Sequence, residues 1–414
     1  MAEKLAIDGG TPVRTKPMPP ANPGETAIGD EERQQVLEVL EAHSPFRFYG
    51  PKLLRKAEQF EKEFAQLMGV KHALGVTSGT AALKVALTAA GVGPGDEVIV
   101  PSVTFIASAG TVVMCRARPV FGEIGTDMGL DPADLERKIT KRTRAIMPVH
   151  LLGGAVDMDP ILAISRRHGI MIVEDCAQSA GALYKGRRVG SMGEVNAFSL
   201  QFQKVITAGE GGVVATNDAK LHDRAIRAHD HGINRWNNKP EENFVGEVYR
   251  MSEMHGAFAL AQIRKLENNL AAMRRHNRRV REAVSELKGV QLRTLADPDG
   301  ATGQTVTFLV ANKDLAAKWR NALGAEGVGG FVLYGGNMVF ENPQILNQRM
   351  PTAHACPFDC PLYDGPITYT REMCPQSRDI LERSVWLYIS PLLTDEDTDD
   401  IIKAIRKVYR GLTD

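Results

Sequence analysis

The chain has 414 residues, enough for two or three domain-sized units with a large buried core. Its hydrophobic fraction of 43% and its charged fraction of 24% are those of an ordinary soluble globular protein. Fifty basic residues balance fifty acidic ones, which argues against a nucleic-acid binder that depends on phosphate neutralisation.

No apolar run approaches the roughly 20 residues that span a bilayer, and the N-terminal residues contain no apolar signal core. We therefore expect neither a membrane protein nor a secreted one. Five cysteines, an odd number, favour a reducing compartment, so we expect a cytoplasmic location. Cys356 and Cys360 have no second Cys or His pair nearby, which favours free thiols over a metal site.

Residues 1–30 are rich in proline and glycine, which predicts an extended N-terminal arm with little helix. Apolar residues at helical spacing follow, and short apolar runs alternate with helical patterns between about residues 73 and 216. This alternation predicts a mostly parallel sheet with helices on both faces. The predicted strands are 97–100, 119–121, 145–149, 170–173, 197–200 and 212–215, and the predicted helices are 30–42, 52–68, 80–90, 105–115, 132–139 and 158–168.

Residues 252–287 predict one long helix or a helix pair. Beyond 288, strands at 306–310 and 329–332 mix with helices at about 313–326 and 395–410, and residues 335–380 show no assignable pattern. We therefore predict an α/β protein with a smaller C-terminal α+β domain. Its predicted parts are the arm (1–30), a large domain (31–250), a connecting helical region (251–287) and the small domain (288–414).

Four short segments should meet beyond the carboxyl ends of the parallel strands, where such sheets bind ligands. In the first, Ser78, Gly79 and Thr80 open a helix, and small residues at a helix start expose N–H groups that favour an anion. Simple N-capping by Ser78 is the alternative. In the second, Asp175 and Gln178 follow an apolar strand, so Asp175 either pairs with a buried cation or caps a helix.

In the third segment, Lys204 lies between a strand that contains Ser199 and a glycine-rich loop at 207–212. Partial desolvation there lowers the pKa of an amine and makes it a nucleophile, whereas most lysines are simply exposed. In the fourth, Phe105 follows the strand at 97–100, where its ring either covers a flat cofactor or packs in the core. A phosphate cradle, a ring stacker, a carboxylate and a lysine together fit pyridoxal 5'-phosphate.

With these motifs in view, the sequence resembles the DegT-type sugar aminotransferases, which are fold-type I pyridoxal phosphate enzymes, over roughly residues 30–410. The segments that carry the resemblance are 77–82, 95–101, 174–178, 199–212 and 249–253. The resemblance implies a transfer of an amino group from glutamate or glutamine to a ketone or aldehyde of a sugar, sugar acid or cyclitol. It also implies a homodimer with its active site at the subunit interface.

Carried over position by position, the resemblance implies that Lys204 forms the Schiff base and moves a proton, and that Asp175 pairs with the protonated ring nitrogen. A low pKa for Asp175 is expected beside that cation. Gln178 is expected to contact the ring hydroxyl and Phe105 to stack on the ring. The other residues predicted to bind the cofactor are Ser78, Gly79, Thr80, Ser199, Gln201 and Arg250.

Two positions depart from many family members. Gln201 stands where many nucleotide-sugar enzymes of the family have His. A glutamine at this position resembles the members that act on carbocycles. Val248 stands where many members have an Asn that reaches the phosphate across the dimer, so the contact is either lost or supplied by Arg250 or another residue. The segments 230–232 and 297–300 also resemble the transaminase that makes an eight-carbon amino sugar.

Other activities fit the sequence less well or remain as alternatives. A dehydratase of the same family has His in place of the Schiff-base lysine, so Lys204 argues against it. Racemases and aldolases fit the motifs poorly. A broad amine transaminase on non-sugar carbonyls, or a non-catalytic regulatory protein that binds the cofactor, are the alternatives that the sequence leaves open. His150, His229 and His231 either line the site or are structural residues.

Overall fold

The computed structural model describes residues 3–237, 239–352, 356–365 and 367–413. The strands are β1 (His72–Val76), β2 (Glu97–Pro101), β3 (Arg118–Gly122), β4 (Thr143–Ile146), β5 (Met171–Ile172), β6 (Leu183–Tyr184), β7 (Arg187–Arg188), β8 (Asn196–Ser199), β9 (Gly212–Thr216), β10 (Gln291–Leu292), β11 (Thr305–Leu309) and β12 (Ser384–Tyr388). The helices are α1 (Pro23–Thr26), α2 (Asp30–Glu41), α3 (Lys56–Met68), α4 (Gly79–Ala89), α5 (Ile106–Met114), α6 (Pro132–Lys138), α7 (Met158–His168), α8 (Ala219–His229), α9 (Glu253–Ser285), α10 (Lys313–Ala325), α11 (Pro343–Leu346), α12 (Pro375–Glu382) and α13 (Asp395–Thr413).

The large central sheet consists of a parallel group and an antiparallel group. β3, β2, β4 and β5 pair in that order, all parallel, and β8, β9 and β1 pair antiparallel. Parallel bridges from Asp175 to Val149 on one side and to Ala197 on the other join the two groups. The strand order is therefore β3-β2-β4-β5-β8-β9-β1, with β9 running against its neighbours.

Alternating side chains of β2 show that both faces of this sheet are covered. Ile99 packs into one hydrophobic cluster, and Val98 and Val100 pack into another. Successive strand side chains point to opposite faces, so each face has its own layer of helices. The first cluster includes residues of α3 and α9, and the second includes residues of α4 and α5. The predicted α/β class is confirmed.

The region from 252 to 287 is one helix, α9, of 33 residues. Asn277 on α9 donates hydrogen bonds to the carbonyls of Gly303 and Thr305, which fixes the helix against a small sheet of β10, β11 and β12. The strand predicted at 329–332 is reduced to a single bridge between Phe331 and Trp386. Across the described ranges, no helix is both long and apolar enough to span a bilayer.

The N-terminal arm, described from residue 3 onward, contains a 3-10 turn (Ala6–Asp8) and the short α1. Arg14 forms ion pairs with Asp397 at 2.7 Å and with Asp400 at 3.1 Å, both on α13. Buried Glu326 accepts hydrogen bonds from the amides of Ala6 and Val13. These contacts hold the arm against the C-terminal part of the same chain. The predicted division into domains stays a prediction.

The cysteines require one correction. Cys356 and Cys360 are joined in a disulfide, whereas the sequence predicted free thiols. A turn between the two residues brings their Cα atoms to 4.6 Å, a separation that a disulfide spans and that sequence spacing alone did not reveal. Cys115, Cys176 and Cys374 are buried free thiols. The cytoplasmic location stays a prediction, and this disulfide removes part of its support.

Candidate active site

A cavity of about 590 Å³ opens where the carboxyl ends of the parallel strands meet the small sheet. Its walls come from the arm, the large sheet, the loop after β8 and the C-terminal part of the chain. The lining includes every residue that the sequence predicted for the cofactor except Arg250: Ser78, Gly79, Thr80, Phe105, Asp175, Gln178, Ser199, Gln201 and Lys204.

The start of α4 forms one end of the cavity. Ser78 is its N-cap, and the Ser78 hydroxyl accepts a hydrogen bond from the Ala81 amide at 3.0 Å. A Cβ on Gly79 would lie 2.6 Å from the Cβ of Ser199, so only glycine lets the helix start approach the end of β8. The first N–H groups of a helix have no partner within the helix. Those of Gly79 and Thr80 therefore remain for a phosphate.

Asp175 lies at the centre of the sheet and is buried. Its Oδ2 accepts a hydrogen bond from the Ser108 hydroxyl at 2.7 Å, and its Oδ1 accepts one from the Ala177 amide at 3.1 Å. Burial raises the pKa of the Asp175 carboxyl, and the Ser108 hydrogen bond opposes this. The low pKa expected from the sequence belongs to the loaded site, where an adjacent pyridinium would act against desolvation.

Lys204 follows β8 and lies at the same cavity. Its amide donates to the Gln201 carbonyl at 2.9 Å, and its own carbonyl accepts from the Gly24 amide at 2.9 Å. Burial lowers the pKa of the Lys204 amine, and the Asp175 carboxylate partly offsets that shift. This agrees with the desolvation predicted for a lysine between a strand and a glycine-rich loop.

Phe105 and Gln178 stand on the walls of the cavity. Phe105 is 55% exposed, so it is not the core residue that the alternative predicted. Its ring centre lies 6.4 Å from that of Tyr334. Gln178 accepts a hydrogen bond from the Leu152 amide at 3.0 Å and donates one to the Tyr334 hydroxyl at 2.7 Å. Burial raises the pKa of Tyr334, so its hydroxyl stays protonated.

Gln201 lines the cavity, with its Oε1 accepting a hydrogen bond from the Gln203 amide at 2.9 Å. Arg250 does not line this cavity, and its guanidinium pairs with Asp230. The Arg250 guanidinium also lies 5.4 Å from the ring centre of Phe46. Its contact with a cofactor phosphate stays a prediction.

The three candidate histidines lie outside the cavity. Buried His150 is 2.9 Å from Glu174, which also accepts hydrogen bonds from three amides, those of Gly190, Met192 and Gly193. His150, Glu174 and Cys176 are close enough to share a metal ion. Their bonds to the protein already satisfy Glu174 and both ring nitrogens of His150, so they form a structural network.

Several cavity residues were missed by the sequence analysis: Asn22, Gln304, Tyr334, Trp386 and Tyr388. Each reaches the site from a part of the chain that is distant in sequence from the motifs. Tyr334 has a φ of 51°, in the left-handed region, and immediately precedes the range 335–380, for which the sequence showed no assignable pattern. Residues 353–355 and 366 of that range lie outside the described residues.

The strand order and the lysine beside a buried aspartate define an enzyme with the architecture of the fold-type I aminotransferases. The DegT/DnrJ/EryC1/StrS aminotransferase family matches residues 26–406, and the chain belongs to that family. It is therefore an aminotransferase.

Two relatives show how far the similarity extends. The L-glutamine:2-deoxy-scyllo-inosose aminotransferase of Streptomyces kanamyceticus is 35% identical over 430 residues, covering 99% of this chain and 97% of that protein. The spore coat polysaccharide biosynthesis protein SpsC of Bacillus subtilis is 33% identical over 395 residues, covering 93% and 96%. Among solved structures, 3-amino-5-hydroxybenzoic acid synthase superposes with a TM-score of 0.81 at 27% identity, over 96% of this chain and all of that one.

Proposed function

We propose that this aminotransferase uses pyridoxal 5'-phosphate to move an amino group from glutamate or glutamine to a ketone of a cyclitol or sugar. The observation that carries the proposal is the placement of Lys204, Asp175 and the start of α4 around one cavity. These are the three contacts that the cofactor needs: an amine for its aldehyde, a carboxylate for its ring nitrogen and a cradle for its phosphate.

The residues of the cavity fit this cofactor. The start of α4 and Ser199 would hold its phosphate, Asp175 its ring nitrogen, and Phe105 the face of its ring. Close packing at Gly79 supports the cradle, because a side chain there would push the helix start away from Ser199. When bound, the cofactor supplies an electron sink for the bond changes at the donor and acceptor carbons.

Among the described residues that line the cavity, Lys204 alone carries an amine, and it moves the proton in this proposal. Desolvation lowers the pKa of this amine, so a larger fraction is unprotonated near neutral pH and able to accept a proton. Asp175 stays ionised beside a cationic ring, and the Ser108 hydroxyl orients its Oδ2. The hydrogen bond from Gln178 to Tyr334 fixes a polar wall next to the same carboxylate.

The donor and the acceptor follow from the relatives and from one residue. The Streptomyces kanamyceticus relative is named for glutamine as donor and for a deoxyinosose as acceptor. Gln201, on the cavity wall, is the position at which the sequence resembles members that act on carbocycles. We therefore place a cyclitol ketone first among the acceptors and a sugar ketone second.

A homodimer completes the proposal. An aromatic cluster is formed by Phe46, Phe48, Tyr49 and Trp236, in which Phe46 contacts Phe48 and Tyr49, and Phe48 contacts Trp236. Tyr49 is 70% exposed and Trp236 is 49% exposed. Arg47, Arg235 and Arg250 lie over these rings at 5.1–5.5 Å. So much exposed aromatic surface favours burial against a partner. In such a dimer, Arg250 of each subunit would approach the cofactor phosphate in the other subunit's site.

The central experiment traps the bond to Lys204. Purified protein loaded with pyridoxal phosphate is reduced with borohydride and digested, and the labelled peptide is identified by mass spectrometry. We expect the label on Lys204, and we expect Lys204→Ala to lose both the label and the visible absorbance band. Lys220→Ala, an exposed lysine at the start of α8, is the matched control. A label elsewhere, or full activity in Lys204→Ala, would refute the proposal.

A second experiment addresses the acceptor. Wild type and Gln201→His are incubated with glutamine and a panel of keto-inositols, nucleotide-linked ketosugars and simple aldehydes, with mass spectrometry of the aminated products. We expect wild type to aminate keto-inositols, and we expect Gln201→His to change acceptor preference more than cofactor affinity. An unchanged preference with a sharp loss of cofactor would contradict the role given to Gln201.

A further inference from the structure

A second, much smaller cavity of about 20 Å³ lies behind the candidate active site. It shares Leu152 and Thr305 with the wall of the large cavity, and its other lining residues differ. A cavity needs a volume of about 10–15 Å³ to hold one water-sized particle. The small cavity therefore has room for one particle of roughly that size.

Two unpartnered polar groups line this cavity. Arg293 is 7% exposed and Thr307 is 5% exposed. The Arg293 Nη2 and the Thr307 Oγ1 are both buried, and neither has a hydrogen-bond partner among the described residues. Buried polar groups almost always find a partner, so two such groups beside one cavity point to a bound species.

The charge around the cavity decides which species it is. Arg293 donates from its Nε to the Asp127 carbonyl at 2.8 Å and from its Nη1 to the Leu151 carbonyl at 2.7 Å. Neither contact neutralises the guanidinium. Arg281 also lines the cavity, and its nearest carboxylate, exposed Asp299, is 3.9 Å away. Within the described residues, the cavity lining contains two arginines and no carboxylate.

The Asp127 carboxylate acts on the Arg293 guanidinium through its charge but forms no ion pair with it. A buried cation that is compensated only in this way is costly, and arginine stays protonated rather than relieve that cost. The other polar groups of the lining are also consistent with an anion. The Thr307 hydroxyl can donate to an anion, whereas the Asn277 amide already donates to the carbonyls of Gly303 and Thr305. A neutral water would satisfy hydrogen bonds but would add nothing to the partial compensation that Asp127 gives the Arg293 charge.

We propose that Arg293 and Thr307 bind a small monovalent anion, of the size of chloride, in this cavity. The anion neutralises the Arg293 guanidinium and accepts from its Nη2 and from the Thr307 hydroxyl. Through the Leu151 carbonyl, Arg293 also holds the segment whose next amide, that of Leu152, donates to Gln178 in the active site. The site is therefore structural support behind the catalytic wall, and its existence does not depend on which acceptor the enzyme uses.

Crystals of the enzyme loaded with pyridoxal phosphate, soaked in sodium bromide, test the proposal directly. We expect an anomalous bromide peak within hydrogen-bond distance of the Arg293 Nη2 and the Thr307 Oγ1. Density that fits water and carries no anomalous signal there would overturn the proposal.

Thermal unfolding at matched ionic strength distinguishes a site whose anion stabilises the fold from an adventitious ion only, which would leave stability unchanged. In wild type, sodium chloride should raise the Tm by at least about 2 °C relative to sodium gluconate, whose anion is too large for the cavity. Thr307→Val should reduce that difference, and Thr294→Val, an exposed neighbour outside the cavity, should preserve it. A bromide peak without any chloride-dependent stability in wild type means an adventitious ion only and overturns the proposal.

Discussion

The main-chain carbonyl of Lys204 accepts a hydrogen bond at 2.9 Å from the amide of Gly24, at the end of the N-terminal arm. The arm is therefore part of the active-site wall rather than a loose extension. A Cβ on Gly24 would lie 2.8 Å from that carbonyl oxygen and 2.9 Å from the Thr207 amide. Both neighbours are backbone atoms, which cannot move aside as the end of a flexible side chain can.

Gly24→Ala should lower kcat/KM by about tenfold or more while the protein stays folded, because displacement of a reacting group by 1 Å is expensive in rate. Steady-state kinetics and circular dichroism measure the two effects. Ala27→Ser, just beyond α1, is a mild control on the same segment and should stay close to wild type. Unchanged kinetics in Gly24→Ala would show that the arm does not position Lys204.

Gly79→Ala should weaken cofactor binding. The added methyl group would lie 2.6 Å from the Ser199 Cβ, and overpacking of this kind typically costs about 1–3 kcal/mol. Absorbance titration of the apoprotein with pyridoxal phosphate measures the affinity. Gly110→Ala in α5 is the matched control, because a Cβ there meets nothing within 4 Å. Equal cofactor affinities in the two variants would show that Gly79 does not contribute to the phosphate cradle.

Asp175→Asn should slow the half-reaction with glutamate by at least about 100-fold, because a neutral amide stabilises a cationic ring far less than a carboxylate does. Cofactor content should fall much less, since the phosphate contacts at α4 are intact. Stopped-flow absorbance and cofactor quantification give the two numbers. Loss of cofactor in parallel with loss of rate would mean that Asp175 serves binding rather than chemistry.

His229 should make the fold less stable in mild acid. Burial lowers the pKa of His229 to about 3, against an ordinary value of 6.5. Between these values the unfolded chain binds one more proton than the folded chain, so stability falls as pH decreases below 6.5, by about 1.4 kcal/mol per pH unit. Urea unfolding at pH 7 and pH 5 should show a smaller difference in His229→Leu than in wild type. Exposed His168→Gln should behave like wild type.

The sequence predicted the parts of the site that are local in the chain. Ser78 and Asp175 follow apolar runs, and Lys204 lies between a strand and a glycine-rich loop, so their neighbours alone place them at one edge of the sheet. The predicted helices and strands of residues 97–216 fall within a few residues of those observed, because apolar periodicity records burial on a sheet or helix face.

The missed parts depend on contacts between distant segments. Tyr334 reaches Gln178 from 156 residues away, and no periodic pattern marks such a residue. β1 contains Ala73 and Gly75 among its five residues, which are poor strand formers, and it is held by pairing with β9. The Gly24 contact with Lys204 likewise depends on how the arm folds back, which proline and glycine content does not specify.

The bridges at Asp175 carry a consequence for how this enzyme can evolve. The same residue whose carboxylate faces the cavity donates its amide to the Pro148 carbonyl and accepts from the His150 amide, while its neighbour Cys176 donates to the Ala197 carbonyl. The seam between the two halves of the sheet thus passes through the residue proposed to pair with the cofactor ring. Insertions that shift either half would move the carboxylate with it, so new specificities should arise in the surrounding loops and leave the seam untouched.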